Sequence, residues 1–169
     1  WVDQWEAVLR RHVNARGQVD FAGIAAAPDP LAEVAAAVGR YAPPAGAAAA
    51  LAHHINAYNA LAMYGIVLRG IPQALSFTGR FGFFANTTIV VAGQRTTLKS
   101  YEDDVIRRLG EERIHFALNC MVRGCPRLPR EAFRAARLEA QLAAAAREFC
   151  ESPYQVRPNP PDRSVQVSQ

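Results

Sequence analysis

The first forty residues alternate apolar and polar positions with the period of an α-helix. The pattern predicts a first helix to about Asn14, with Gly17 as its end, and a second helix from about Leu31 to Arg40. In the first of these segments, the apolar residues recur at spacings of three and four and would share one face: Trp1, Trp5, Val8, Leu9 and Val13.

The longest run of helix-forming residues extends from Ala47 to Arg69. It contains no proline and a single glycine, Gly65, and its apolar stripe consists of Leu51, Ile55, Tyr58, Ala62 and Ile66. Because this segment is largely apolar, we expect it to be a buried central helix. Two further helices are predicted, from Ser100 to about Leu109 and from Arg137 to Cys150.

Other segments have the period of two that is typical of β-strands. The residues from Thr87 to Ala92 and from Arg95 to Leu98 would pair as a hairpin around a turn at Gly93-Gln94. Apolar side chains also alternate with other residues in segment 113–119 and from Ser164 to Ser168. We therefore predict a strand over residues 113–119 and a strand-like segment near the carboxyl terminus.

These elements together predict an α+β fold in a single domain, residues 1–169. The central helix 47–69 would pack on a small, mainly antiparallel sheet that includes segments 87–98 and 113–119. The glycine- and aromatic-rich stretch from Phe77 to Asn86 is interpreted as a loop. A chain of 18.5 kDa with 50% hydrophobic and 20% charged residues has the size and composition of one globular domain.

Charge and motifs exclude several classes of function. The net charge is +4, but the basic residues are spread along the chain without a block of five, so we predict no nucleic-acid partner. The apolar runs are far shorter than the roughly 20 residues of a membrane-spanning helix. The sequence has no phosphate-binding loop, dinucleotide fingerprint, nucleophile elbow or H-E-x-x-H motif. We predict no cofactor and no resident metal.

Candidate catalytic chemistry concentrates on one cysteine. A thiol nucleophile needs a base and a group that orients the base, and Cys120, His115 and Glu102 supply these residue types within a short span. Residues five apart on a straight strand point to opposite faces, so a bulge or turn near Cys120 would be required. His53 or His54 of the central helix is the alternative base.

The same cysteine has a structural alternative. Cys120 and Cys125 can meet across a tight loop as a disulfide, which would block the nucleophile. Their C-x-x-x-x-C spacing is wider than that of thioredoxin-type pairs. A zinc site would need two further ligands, for which the nearby candidates are histidines His53, His54 and His115.

Several polar residues fall on helices and have structural alternatives of their own. Asn56 and Asn59 are three residues apart and share one face of the central helix, so they could brace a loop or orient a site group. His53 and His54 point about 100° apart, which favours structural roles over binding one metal. Glu102, taken alone, is typical of a solvated helix start.

Three motifs carry a resemblance to a known family. Residues 53–60 (H-H-I-N-A-Y-N-A), residues 113–120 (R-I-H-F-A-L-N-C) and the pair Cys125-Pro126 closely resemble the signatures of the domain-of-unknown-function 547 family. The likeness extends to the opening segment and the late helix. This chain departs from the family pattern at Asp103, where the family has histidine, and at His53-His54, where it has Phe-Trp.

The resemblance implies a mixed α and β domain, found in bacteria mostly as exported proteins, periplasmic or extracellular. It also implies a relation to papain- or transglutaminase-like thiol hydrolases. Carried over to this chain, Cys120 would be the nucleophile, His115 the base and Glu102 its orienting acid, while Asn56 and Asn59 would shape the site. Family members continue beyond the last strand, so we expect the chain to be truncated at its carboxyl terminus.

Two classes of function therefore compete, and a third is weaker. The first is a thiol-dependent hydrolase or acyltransferase that acts on an amide or thioester bond of a small-molecule or peptide substrate. The second is a non-catalytic exported binding module with a Cys120–Cys125 disulfide, in which the aromatic residues of 77–86 contact a partner. The third is a redox protein that cycles this cysteine pair.

Overall fold

A computed structural model describes residues 1–70, 77–121 and 124–167, with the backbone alone at 77–81. Seven α-helices follow one another along this part of the chain: α1 Val2–His12, α2 Phe21–Ala26, α3 Asp29–Arg40, α4 Ala47–Arg69, α5 Phe77–Asn86, α6 Leu98–Tyr101 and α7 Leu138–Glu151. Four strands form two separate antiparallel hairpins: β1 Thr88–Val91 with β2 Gln94–Thr97, and β3 Val156–Asn159 with β4 Ser164–Val167. The α+β class is confirmed.

Helix α4 is the buried centre of the molecule and has the predicted bounds. Its central part is buried around the whole circumference, because other elements cover both of its sides. One core cluster joins it to α3, β1, α6 and α7. A second cluster joins Ala60 and Met63 of α4 to Trp5 and Leu9 of α1 and to Leu128. Each side chain in the central part of α4, residues 51–63, is buried against a neighbouring element.

The hairpin β1–β2 is confirmed, with its turn one residue earlier than predicted. Val91 pairs with Gln94, so the two turn residues are Ala92 and Gly93, with φ of 50° and 80°. Positive φ at both positions is the geometry of the tight hairpin turn whose twist matches that of the flanking strands. Of the predicted strand-like segment from Ser164 to Ser168, residues 164–167 form β4. Ser168 lies outside the described residues.

The strand predicted over residues 113–119 is wrong. The chain there forms a 3₁₀ helix, Glu112–Phe116, which begins where the Glu111 side chain accepts a hydrogen bond from the Arg113 backbone N–H. The buried apolar residues are Ile114, Ala117 and Leu118, and the last two follow Ile114 at helical spacings of three and four, whereas Phe116 is only partly buried. The alternation in the sequence therefore arises from this 3₁₀ helix and the residues that follow it. Segment 113–119 contributes no strand that could pack on α4.

The loop predicted from Phe77 to Asn86 is also wrong, because these residues form helix α5. Its glycines disfavour a helix, but tertiary packing outweighs that propensity. Phe83 lies so close to Gly65 of α4 that a side-chain carbon at Gly65 would stand 3.2 Å from its ring. Helix α6 begins two residues before the predicted start, since the Thr97 hydroxyl, not Ser100, caps it.

In the part of the chain that the structure describes, none of the helices has the length and apolar content needed to span a bilayer.

Candidate functional site

A disulfide joins Cys120 to Cys125, with the two Cα atoms 5.7 Å apart. Cys120 is half-buried, whereas Cys125 is 7% exposed. The loop between them contains Val122 and Arg123, which lie outside the described residues. In this state the Cys120 sulfur is bonded and is not a thiolate nucleophile.

His115, the predicted base, lies on the 3₁₀ helix with its side chain exposed. Within the ranges 1–70, 77–121 and 124–167, no hydrogen bond or ion pair connects His115 to Cys120 or to Glu102. The three predicted catalytic residues therefore do not form a hydrogen-bonded catalytic triad in this structure.

Glu102, the predicted orienting acid, faces the central helix instead. Its carboxylate accepts a hydrogen bond from the hydroxyl of Tyr58 at 3.0 Å and from Arg107 Nη2 at 2.8 Å. Burial, followed by the nearby Glu102 charge, raises the pKa of Tyr58 well above its usual range. Glu102 begins a π-helical turn, Glu102–Ile106, and Asp103 beside it pairs with Lys99 and Arg107. The Glu102 carboxylate therefore anchors this π-helical turn to α4.

Asn56 and Asn59 brace loops rather than face a ligand. Asn56 donates to the Phe133 carbonyl at 2.8 Å and accepts from the Phe133 N–H at 2.9 Å. Asn59 donates to the Ala117 carbonyl at 2.9 Å and accepts from the Asn119 N–H at 2.8 Å. Each amide therefore satisfies buried backbone groups in the same way as a neighbouring strand would.

Asn119 closes the disulfide loop through a second set of hydrogen bonds. Its side chain donates to the Pro126 carbonyl at 2.6 Å and accepts from the Met121 N–H at 2.6 Å. Gln155 donates to the Cys125 carbonyl at 3.0 Å from the other side. We call this group, Asn119, Pro126 and Gln155, the amide clasp. It positions both ends of the loop independently of the sulfur atoms.

His53 and His54 are both buried in the core. Tyr101 Oη lies 2.7 Å from His54 Nδ1, and the His53 ring meets Trp1 edge to face. Burial, and secondarily the neighbouring His54, lowers the pKa of His53 to about 4. In the described ranges, no group of three or more histidine, cysteine or acidic side chains is arranged to hold a metal ion.

A cleft of about 890 Å³ opens beside the disulfide. The loop between α1 and α2, the disulfide loop, and the end of α7 with the residues after it form its walls. The Phe116 and Phe149 rings lie 5.2 Å apart there, and Tyr154 at the rim is 83% exposed. The polar side chains that line it are Arg16, Gln18, Asn119, Arg127, Glu148, Ser152 and Gln155.

Sequence reasoning missed this cleft because its residues come from three distant segments with no common spacing. The one local signal was Gly17, interpreted only as a helix end. Its φ is 73°, and a side-chain carbon there would stand 3.0 Å from the Leu128 backbone nitrogen. This close approach brings the loop between α1 and α2 against the segment that follows the disulfide.

Comparison with models of known protein families shows to which family the chain is related. A family model described as "Protein of unknown function, DUF547" matches residues 45–150, more than half of the chain. The chain belongs to the DUF547 family. The match within this DUF547 chain begins just before α4 and ends within α7, so it contains Glu102, His115 and both cysteines of the disulfide. Comparisons with curated proteins and with solved structures found no match.

Proposed function

We propose that this DUF547 domain is a non-catalytic binding module, and that the cleft beside the disulfide binds an extended peptide segment. The observation that carries the proposal is the Cys120–Cys125 disulfide at the cleft wall, because it bonds the sulfur of the predicted nucleophile, Cys120, in the oxidised protein. A thiol-dependent hydrolase or acyltransferase would require that sulfur as a thiolate.

The chemistry of the cleft supports a peptide as its ligand. Binding sites combine apolar and aromatic surface with a few polar groups that fix orientation. Phe116, Phe149 and Tyr154 supply aromatic surface for an apolar side chain. The exposed side-chain amide of Gln18 lies at the same wall, and an amide of this kind exchanges hydrogen bonds with a peptide backbone.

Charge in the cleft favours a peptide that carries a carboxylate. Arg127 is paired with Glu148, which largely neutralises both side chains. Arg16 then gives the cleft a net positive charge. An aspartate, a glutamate or a free carboxyl terminus next to the apolar side chain of the ligand would complement this guanidinium.

We further propose that the module works in an oxidising compartment, outside the cytoplasm. Disulfides form and persist in exported proteins and are rare where thiol reductants are abundant. The support in this chain is the bonded pair itself.

The test compares two exposed tyrosines, one that lines the cleft, Tyr154, and one that does not, Tyr41. Peptides are selected from a random displayed library on the oxidised protein, and their affinity is measured by fluorescence anisotropy. Tyr154→Ala should weaken binding about tenfold, as expected for an aromatic anchor. Tyr41→Ala is the matched control, since Tyr41 is 56% exposed and follows α3.

Two results would contradict the binding proposal. One is a library that yields no peptide, or peptides whose affinity Tyr154→Ala and Tyr41→Ala affect equally. The other is turnover of amide or thioester substrates by the reduced protein that is abolished in Cys120→Ala while the melting temperature is unchanged. That second result would favour the hydrolase or acyltransferase, with Cys120, His115 and Glu102 as its candidate residues.

A further inference from the structure

We infer that Cys120 and Cys125 form a redox-active pair, which exchanges two electrons with an external dithiol while the fold persists in both states. The inference concerns an activity of the disulfide and stands independently of peptide binding. It rests on three observations: the exposure of the two cysteines, the amide clasp that holds the residues on either side of them, and the place of both cysteines outside the core clusters of the described residues.

The exposure of the pair is asymmetric, which defines the direction of attack. Cys120 is half-buried at the molecular surface, whereas Cys125 is nearly buried at the cleft wall. We therefore assign the sulfur of the more exposed residue, Cys120, as the one that an external thiolate attacks. Thiol–disulfide exchange proceeds when such a thiolate attacks one sulfur and the other leaves.

The exchange balances in two steps. A thiolate of the dithiol bonds to Cys120 Sγ, the Cys120–Cys125 bond breaks, and the Cys125 thiolate takes a proton. The second thiol of the reductant, as a thiolate, then attacks its own sulfur in the mixed disulfide, and Cys120 leaves and takes a proton. The protein pair gains two electrons and two protons, and the dithiol becomes a cyclic disulfide.

The amide clasp explains how the residues on either side of the cysteine pair keep their positions without the disulfide. The Asn119 side chain bonds to the Pro126 carbonyl at 2.6 Å, which ties the residues on either side of the cysteine pair. Asn59 of α4 holds the Asn119 N–H, and Gln155 holds the Cys125 carbonyl. Reduction breaks one covalent tie but leaves these hydrogen bonds in place.

The location of the disulfide also differs from that of a staple between distant elements. It closes a loop of six residues, 120–125, and joins no two helices or strands. The two core clusters are formed by α1 to α4, α6, α7 and β1, together with short connecting segments. Opening the disulfide therefore separates no two parts of the hydrophobic core.

The experiment uses the full chain with Cys150→Ser, because Cys150 is an exposed free thiol that would confuse the count. The protein is equilibrated in mixtures of reduced and oxidised dithiothreitol, and thiols are counted by alkylation and mass spectrometry. We expect a single reversible two-electron transition of Cys120 and Cys125. The reduced form should keep its far-ultraviolet circular dichroism and melt no more than about 10 °C below the oxidised form.

The clasp is tested with a matched pair of asparagine variants. Asn119→Ala should lower the melting temperature more in the reduced protein than in the oxidised one, since the clasp is then the remaining tie. Asn159→Ala is the control, because Asn159 is exposed in the β3–β4 hairpin. Its effect should be small and equal in both states.

Three results would overturn the inference. The pair could resist excess dithiol in the folded protein, reduction could unfold the wild-type chain, or Asn119→Ala could lower both melting temperatures equally. Each would show that the disulfide is a purely structural bond. None of them alters the Tyr154→Ala comparison, so failure of the redox inference is distinguishable from failure of the binding proposal.

Discussion

Around the disulfide loop, buried side-chain amides form the hydrogen bonds to backbone groups that a neighbouring strand would otherwise form. Asn59 is 1% exposed and satisfies one buried carbonyl and one buried N–H that belong to residues nearly sixty positions later. A smaller side chain would leave both backbone groups without partners, and each buried unsatisfied group costs about 1–3 kcal/mol. Asn59 therefore stabilises the protein by holding the backbone at Ala117 and Asn119.

Asn59→Ala should accordingly lower the free energy of unfolding by about 2–4 kcal/mol, measured by urea denaturation. Asn159→Ala, in an exposed hairpin, is the control and should change it by less than about 0.5 kcal/mol. A loss as small as that of the control would mean that water or a rearranged loop satisfies the Ala117 carbonyl and the Asn119 N–H.

His53 makes stability depend on pH. Its pKa rises from about 4 in the folded protein to the ordinary value of 6.5 in the unfolded chain, so the unfolded chain binds its proton first as pH falls. The contribution to stability is complete above pH 6.5 and is lost progressively between pH 6.5 and 4. His12 and His54, whose pKa values burial also lowers, act in the same direction.

His53→Phe should flatten this pH dependence and make the protein more stable at pH 5 relative to the wild type. Each unit of pKa shift removed corresponds to about 1.4 kcal/mol. Urea denaturation at pH 7.5 and at pH 5 measures the free energy of unfolding at each pH, and the difference between the two values gives the pH dependence. Met63→Leu is the control, since Met63 is equally buried in α4 and does not titrate; an identical slope in His53→Phe and Met63→Leu would refute the assignment.

At the residue scale, the sequence offered the Cys120–Cys125 disulfide as the alternative to a nucleophilic Cys120, and bracing as one of two roles for Asn56 and Asn59. It could not predict that Glu102 contacts Tyr58, because that contact depends on how the π-helical turn Glu102–Ile106 packs against α4. The proximity of three suitable residue types along the chain is a weak guide to a site. Their side chains must also meet in space, and His115 is exposed on its own short helix.

Elements whose pattern is local were predicted well. Helix α4 needed only its composition, and the β1–β2 hairpin needed only two β-branched runs around a glycine. The errors, at residues 77–86 and 113–119, came from elements whose structure depends on packing partners elsewhere. Helix α5 forms despite its glycines because Phe83 packs against α4.

The turn of the β1–β2 hairpin can be improved or weakened by single changes. Ala92 has a φ of 50°, which costs an alanine free energy that asparagine largely avoids, and Asn-Gly is the preferred pair for this turn. Ala92→Asn should raise the free energy of unfolding by about 0.5 kcal/mol. Gly93→Ala should lower it by about 1 kcal/mol. Urea denaturation measures both.

The two turn variants control each other. A side-chain carbon at Gly93 would meet no atom within 4 Å, so its cost comes from the backbone conformation rather than from a clash. Changes of the same sign in Ala92→Asn and Gly93→Ala would show that side-chain packing at the turn, and not the positive φ, determines its stability.

At the scale of the molecule, the family match and the hydrophobic core have different extents. The match begins at residue 45, after α1 to α3. Yet Trp5, Leu9 and Ile24 are almost fully buried in the cluster that covers one side of α4. Arg134, near the start of α7, also contacts Asp3 of α1 at 2.6 Å. Residues 1–44 therefore complete the core.

A fragment of residues 45–169 should consequently lack a cooperative unfolding transition and should bind the dye ANS. Each large side chain lost from the core removes about 1.5–3 kcal/mol, and a typical domain has only 5–15 kcal/mol in all. Thermal circular dichroism measures the transition. The control fragment, residues 1–156, lacks most of the exposed β3–β4 hairpin and should unfold cooperatively, because that hairpin contributes no residue to either cluster.

The comparison of the two fragments decides how the protein divides into folding units. If 45–169 unfolds cooperatively, then α1 to α3 form a separate unit that docks on α4, and the cleft could change when that unit moves. If only 1–156 does, the cleft wall at residues 16–19 belongs to the same unit as the disulfide loop. A ligand bound between them would then stabilise the whole molecule, and its affinity would appear as a rise in melting temperature.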